Sequence, residues 1–450
     1  RPVVRRAARL LPRAGAARLG RPGHGVGLAR DADAAPPRLE DGLLRAPLRL
    51  DDVRRLRVAR LRVQRGPQQV RLHLRPRQLL EQPVPVVLGD LEPVLASGAV
   101  ALLDPRWIIS HAEAGGVLIH RQALPEEAFL SLADLVEAIT KYAWLPVAAL
   151  SYPWLTKDHP DPRGANLSRV AKALKALLTS DYITRLGVFW DFGSLHQHPD
   201  PPNGVMRTEE QNALFKQGLG CLGTLYSLPR TIVLRLTSFP DGHKAEDQAE
   251  GTNVAKYFDR GWCFTESSWA SLTKAGRFSL DLGKMRDGVE YNDYSLQRDC
   301  TQEGGRRPPL LPSAFAAELE KKSFTNGKDD KPLVKRLYEA AFKEQFGKAT
   351  MLYYCGLGWG DAEAAQLAEV LASGAAPRLK TLRLNDNKIG DDGMKALAAA
   401  VAGGALHLGR PVPNLRRVLL EAVEATVVGV CEHVAGVLRA ERRRLRVRVP

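Results

Sequence analysis

From Met351 onward the chain repeats itself at a constant offset of 30 residues, and a repeat of that length narrows the possible folds more than any other feature of the sequence. Met351-Leu352-Tyr353-Tyr354 corresponds to Thr381-Leu382-Arg383-Leu384, and Gly360-Asp361 to Gly390-Asp391. Leu367 and Leu371 then correspond to Leu397 and Val401. Each copy opens on a short apolar run, turns at Gly-Asp and continues in an Ala-rich stretch with apolar residues at helical spacing. Such a unit cannot bury its apolar side alone, so copies stack strand beside strand and helix beside helix. Two copies are clear, and Leu415-x-x-Val418-x-Leu420 offers the start of a third without the asparagine turn that follows Leu384 in the second.

The region before the repeat alternates between two periods. Residues 146–152, 186–192 and 230–236 are short apolar runs that read as buried strands. Between the first two, Leu167, Val170, Ala171, Leu174, Leu177 and Leu178 fall on one helical face, with Arg169, Lys172 and Lys175 opposite. Thr208-Glu209-Glu210-Gln211 has the spacing of a capping box and predicts a helix to about Tyr226. A further helix is expected to run through Lys274. Upstream, Pro125 with Glu126 and Glu127 predicts a helix start, continued by Phe129, Leu132, Leu135, Val136 and Ile139. Strand, helix, strand, helix in this order predicts an α/β domain over 96–282, a parallel sheet between two helical layers. Residues 283–345 are polar, with Gly304-Gly305 and Pro308-Pro309, and read as a linker with a helical stretch; the repeats would occupy 346–438.

Charge is distributed unevenly. The 450 residues carry a formal net charge of +15, but residues 1–80 hold 20 Arg, no Lys and 6 acids, and 439–450 add another +5, so the body from 81 to 438 nets −4. A nucleic-acid-binding body is therefore not expected. The Arg-rich segment 1–95 lacks interleaved aromatics and a repeat, and it reads as disordered or mistranslated sequence, with 439–450 as a basic tail. A start at Arg1 fits a fragment or a gene model without its true beginning. The five Cys include no CxxC pair, which points to a reducing compartment rather than a disulfide framework or zinc module. No apolar run is long enough to predict a membrane span.

Three short motifs carry the chemistry: Ser151-Tyr152-Pro153-Trp154, Phe189-Trp190-Asp191 with Gln197, and Arg260-Gly261-Trp262 with Glu266. Each joins an aromatic to a polar residue where a buried strand is expected to end, which is where open α/β sheets place ligands. In this order and spacing they resemble the heterokaryon-incompatibility (HET) domain of fungal self/non-self proteins, with its Ser-Tyr-x-Trp, its aromatic strand with Asp and Gln, and its Arg-x-Trp-x-x-x-Glu. The chain departs from that pattern at Leu155 (Gly in the family), at Ser194 and His196 (Cys and Asn), and at Thr265 (Gln). Glu209 and Glu210 lie about one turn too far from Tyr226 to match the family's helix-start glutamate. The second repeat, Leu379-x-x-Leu382-x-Leu384-x-x-Asn387-x-Ile389, resembles leucine-rich repeats of the ribonuclease-inhibitor type.

HET domains are similar in fold to TIR domains, some of which cleave NAD. The resemblance thus implies a TIR/flavodoxin-like domain in a cytoplasmic recognition or signalling protein, with no bound cofactor and NAD as a possible substrate. It further implies a protein partner for the repeats and self-association of the α/β domain. Asp191 and Glu266 are the candidate catalytic carboxylates; Ser151, Tyr152, Trp154, Gln197, Arg260 and Trp262 are the candidate ligand-binding residues. Two readings stand side by side. In one, the carboxylates line a pocket and bind a ribose hydroxyl or act as acid and base. In the other, Asp191 caps a loop and Glu266 pairs with Arg260. Trp154, Trp190 and Trp262 either fill sheet–helix interfaces or wall a ligand. His196-Gln197-His198 lacks a third ligand at metal spacing, and neither GxSxG nor a phosphate-binding GxxxxGK[ST] occurs. The displaced acids favour assembly over catalysis.

Overall fold

The computed structural model describes residues 92–131, 133–134, 147–180, 183, 185–301 and 306–407. Of the Arg-rich segment 1–95, residues 1–91 lie outside the described residues, as do the third repeat start at Leu415 and the basic tail; its last residues, expected to be disordered, are corrected to the start of a helix, Glu92–Ala96, whose Val94 and Leu95 pack on the core. Four strands, β1 (Val147–Ser151), β2 (Gly187–Phe189), β3 (Ile232–Arg235) and β4 (Ser279–Asp281), form a parallel sheet in the order β2-β1-β3-β4. Ala149 is in register with Phe189 on one side and Val233 on the other. The helices are α1 (Glu92–Ala96), α2 (Pro105–Glu113), α3 (Ala165–Leu177), α4 (Asp191–Ser194), α5 (Glu209–Gly220), α6 (Leu222–Ser227), α7 (Gly261–Ala270), α8 (Asp293–Thr301), α9 (Pro312–Glu320) and α10 (Gly327–Lys348). Two strand–helix units complete the described residues, β5 (Met351–Tyr353) with α11 (Asp361–Ala372) and β6 (Thr381–Arg383) with α12 (Asp391–His407).

Every residue of β1–β4 is buried, as a sheet covered on both faces requires. Alternation along the strands divides the core in two. Val147, Ala149, Phe189 and Val233 face one cluster with Leu225 and Tyr226 of α6 and Phe264 and Trp269 of α7. Ala148, Leu150, Val188 and Leu234 face the other, with Ile108 of α2, Leu167 and Leu174 of α3 and Leu296 of α8. The first cluster continues without a break through Phe315, Tyr338 and Phe342 into Leu352, Leu367, Leu382 and Leu397 of the strand–helix units. The 283–345 segment, expected as a linker, supplies the centre of this junction. Phe315 of α9 stacks on Phe264, with ring centroids 5.3 Å apart, and on Tyr338 of α10 at 3.8 Å.

Local chemistry accounts for the element boundaries. The capping box at Thr208 is present: its hydroxyl accepts from Gln211 N at 3.1 Å, and Gln211 returns an acceptor to Thr208 N at 3.2 Å. The helix expected to reach Tyr226 is broken at Cys221, between α5 and α6. The helix expected from Pro125 is corrected to a three-residue turn, Glu126–Ala128, followed by extended Phe129. The reason is a competing partner. Leu130 N donates to Leu102 O and Asp104 N to Ala128 O, which draws 128–130 alongside the 102–104 segment that bridges β2. Of the remainder of that expected helix, Ala133 and Asp134 are helical, and Leu132 and the residues from 135 lie outside the described residues.

The two repeat units match in backbone as well as sequence. Gly356 and Asp386, 30 positions apart, both adopt left-handed conformations, with φ of 66° and 60°. Asn387 ties the units together. Its Nδ2 donates to Tyr354 O and to Leu384 O at 2.6 and 2.9 Å, and its Oδ1 accepts from Leu357 N and Trp359 N at 2.9 and 3.1 Å. Asp361 adds a second tie, with one oxygen accepting from Gly390 N at 2.7 Å and Gly393 N at 3.0 Å. Among the described residues no helix is long and apolar enough to cross a membrane.

Candidate functional site

The three motifs meet at the carboxyl ends of β1 and β2. Tyr152 and Trp154 leave β1, Asp191 opens α4 directly after β2, and Arg260 caps the start of α7. The Tyr152 hydroxyl donates to Asp191 Oδ1, and the Trp154 indole donates to Oδ2 at 3.4 Å. Oδ1 also accepts from Phe192 N at 2.7 Å, so both carboxylate oxygens of Asp191 are engaged. Gln197 donates to Asp191 O at 3.2 Å and exchanges two hydrogen bonds with Gln122. Its role is to fasten the loop after β2.

The expected Arg260–Glu266 pair is absent. Arg260 instead donates from Nε to Ala255 O at 2.7 Å, from Nη1 to Trp154 O at 2.7 Å, and from Nη2 to Asn253 O. Residue 260 must cap α7 and lies within reach of three carbonyls, and a planar guanidinium satisfies all three at once. Burial lowers its proton affinity. Trp262 donates from its indole to Asp330 of α10 at 3.0 Å and so belongs to the α7–α10 contact rather than to the Asp191 group.

Glu266 does join that group. As a residue it is half-buried, yet its carboxyl is enclosed beside the Ser151 and Tyr226 hydroxyls. Burial pushes its pKa well above the usual carboxylate range; the two hydroxyls oppose this and the charge of Asp191 adds to it. Burial raises Asp191 too, against the bonds from Tyr152, Phe192 N and Trp154. Nearby hydroxyls complete the cluster. Ser151 and Tyr257 share a hydrogen bond of 2.6 Å, and Tyr226 donates to Leu150 O. Tyr257 was not among the candidates; an aromatic four positions before Gly261 was the available signal.

The remaining motif residues are structural. Trp190 is completely buried and packs edge-on to Tyr152, centroids 5.7 Å apart. Ser194 is fully buried and accepts from Trp190 N at 2.9 Å. His198 is bonded to Arg207, and burial with the charges of Arg121 and Arg207 lowers His196 to about 4. Two arginines beside these rings oppose a cation there. Glu209 and Glu210 are exposed in the first turn of α5, where they complement the helix dipole. Comparison with protein-family models, curated proteins and solved structures gives no match for this chain.

Proposed function

We propose that the chain is a cytoplasmic recognition and signalling protein whose HET-like, TIR/flavodoxin-like α/β module acts by binding at its sheet edge. On this reading the sheet lies between two helical layers, and the β5–α12 segment is a leucine-rich repeat array that meets a protein partner. The strand order matches the start of flavodoxin-like sheets, whose ligands sit at the β1/β3 switch point. One observation supports binding over turnover. The polar groups of the motifs engage each other and the backbone: Asp191 holds Tyr152, Trp154 and Phe192 N, and Arg260 holds three carbonyls. Groups so engaged knit strand ends into a rigid platform and are not open to a phosphate or ribose.

Glu266 supports a second reading, hydrolysis of a nucleotide such as NAD. Its enclosed carboxyl has the raised proton affinity of a general acid and sits beside a second carboxylate. Nicotinamide release from NAD by the purified chain separates the two. The binding reading expects none above background. Turnover that disappears in Glu266→Gln would replace it with the hydrolase.

A further inference from the structure

Exposed apolar side chains are not scattered over this molecule. Of the five large hydrophobic residues that stand exposed among the described residues, Val205 and Met206 lie in the connection that leaves the carboxyl end of β2, Val254 in the one that leaves β3, and Ile119 beside Leu118, which is bonded to the connection that leaves β1; Tyr294 is the fifth. Hydrogen bonds tie those loops to the motif cluster. His159 binds Leu118 O at 2.9 Å, next to Ile119. Arg207, next to Met206, donates to His196 O at 3.0 Å. Arg260 holds the carbonyls on both sides of Val254. An apolar set held on fixed loops is preorganised for contact, because little freedom remains to be lost on binding.

The charge on the same edge has one predominant sign. The loop that carries Val254 holds Asp241, Glu246, Asp247, Glu250 and Asp259, all exposed, against the exposed cations Lys244 and Lys256, and none of these acids is in an ion pair among the described residues. Arg260 at the end of this loop adds little free positive charge, since its guanidinium is turned to carbonyls. On the neighbouring loop Lys157 and Arg163 stand with Asp158. A second copy of this chain would set one acidic loop against another, so the edge does not suit self-docking. A basic, apolar segment meets both features, with arginines toward the acids and the half-buried Trp154, and apolar side chains on the rim.

Building on the binding reading above, we infer that the carboxyl edge of the sheet is the docking surface for a partner segment in which basic and apolar residues alternate. The probe is a fluorescein-labelled 12-residue peptide of alternating Leu and Arg, titrated into the full chain and followed by anisotropy. Micromolar affinity is expected, at least tenfold weaker in Met206→Ser/Val254→Ser and in Asp247→Asn/Glu250→Gln, and lost when Ser replaces Leu in the peptide. Unchanged affinity in both double variants, no binding, or concentration-dependent dimers abolished by Met206→Ser would overturn the inference. Circular dichroism melts confirm that each variant is folded. NAD turnover would sink the binding reading instead, so the two failures are distinguishable.

Discussion

Asn387 in the second repeat and Glu266 on α7 are both half-buried polar side chains, and they do opposite things with their capacity for hydrogen bonding. Asn387 meets two donors and two acceptors of the backbone and is complete. Glu266 lies among hydroxyls with a like charge nearby and no cation to offset it. The first arrangement defines a backbone path and leaves nothing over. The second leaves proton affinity and charge available, which is what a site needs. A saturated polar group is evidence of architecture, and an unbalanced one is where function should be sought.

The largest test of this contrast asks whether its two halves belong to one cooperative structure. Phe315→Ala removes the ring stacked between α7 and α10 and should cost about 4 kcal/mol, a typical loss for a buried phenylalanine. Urea unfolding should shift as one transition. If the repeat units melt apart from the sheet in the unmutated chain, the two regions are independent and the shared core is not holding them together.

Asn387→Ala sharpens the comparison from the saturated side. It strands two N–H and two C=O groups, of which some will find water, so a loss of about 2–3 kcal/mol is expected by urea unfolding. A loss below 0.5 kcal/mol, of the order of a neutral surface change, would mean that the ladder is ornamental.

Glu266→Gln probes the unsaturated side and carries the smallest effect. Because folding raises this carboxyl's pKa above its ordinary value of 4.5, the native state binds the proton more tightly than the unfolded chain. Stability from this group is therefore greatest below pH 4.5 and declines as pH rises toward the folded pKa. The glutamine variant should unfold like the parent at pH 4.5 and gain on it at pH 7 to 8, by about 1 kcal/mol after allowance for its lost hydrogen bonds. Parallel profiles for the two proteins would show that the carboxyl is not perturbed.

The strands β1, β2 and β3 were legible because each lies in a run of consecutive apolar residues, the shortest being Ile232–Leu234, and a sheet buried on both faces admits little else. The fourth strand was not. Ser279–Asp281 offers one apolar residue between two polar ones, and its pairing depends on β3 already being in place. The motif residues were also legible as a group, and the cluster of Tyr152, Trp154, Asp191 and Arg260 joins all three motifs. Their individual roles were not. Whether Arg260 faces Glu266 or carbonyls depends on the path of its own loop, which brings Asn253 O and Ala255 O within reach, and on Trp154 O, which lies 106 residues away; no spacing pattern encodes either. The 283–345 segment reads as polar because α10 keeps most of its surface in water, and its buried stripe of Val334, Tyr338, Phe342 and Phe346 is diluted by lysines.

One helix connects these regions mechanically. The start of α7 is clamped by Arg260 to the strand-end loops, and just past its end the Tyr354 hydroxyl from the repeats grips Leu272 O. Between those anchors stands a rod of ten residues, about 15 Å long, with Glu266 near its middle. A force applied to the repeats would enter this rod at one end and arrive at the sheet edge at the other, with no flexible joint along the helix to absorb it. Load on the repeats would therefore be carried along α7 past the turn that holds the enclosed Glu266 carboxyl to the arginine clamp.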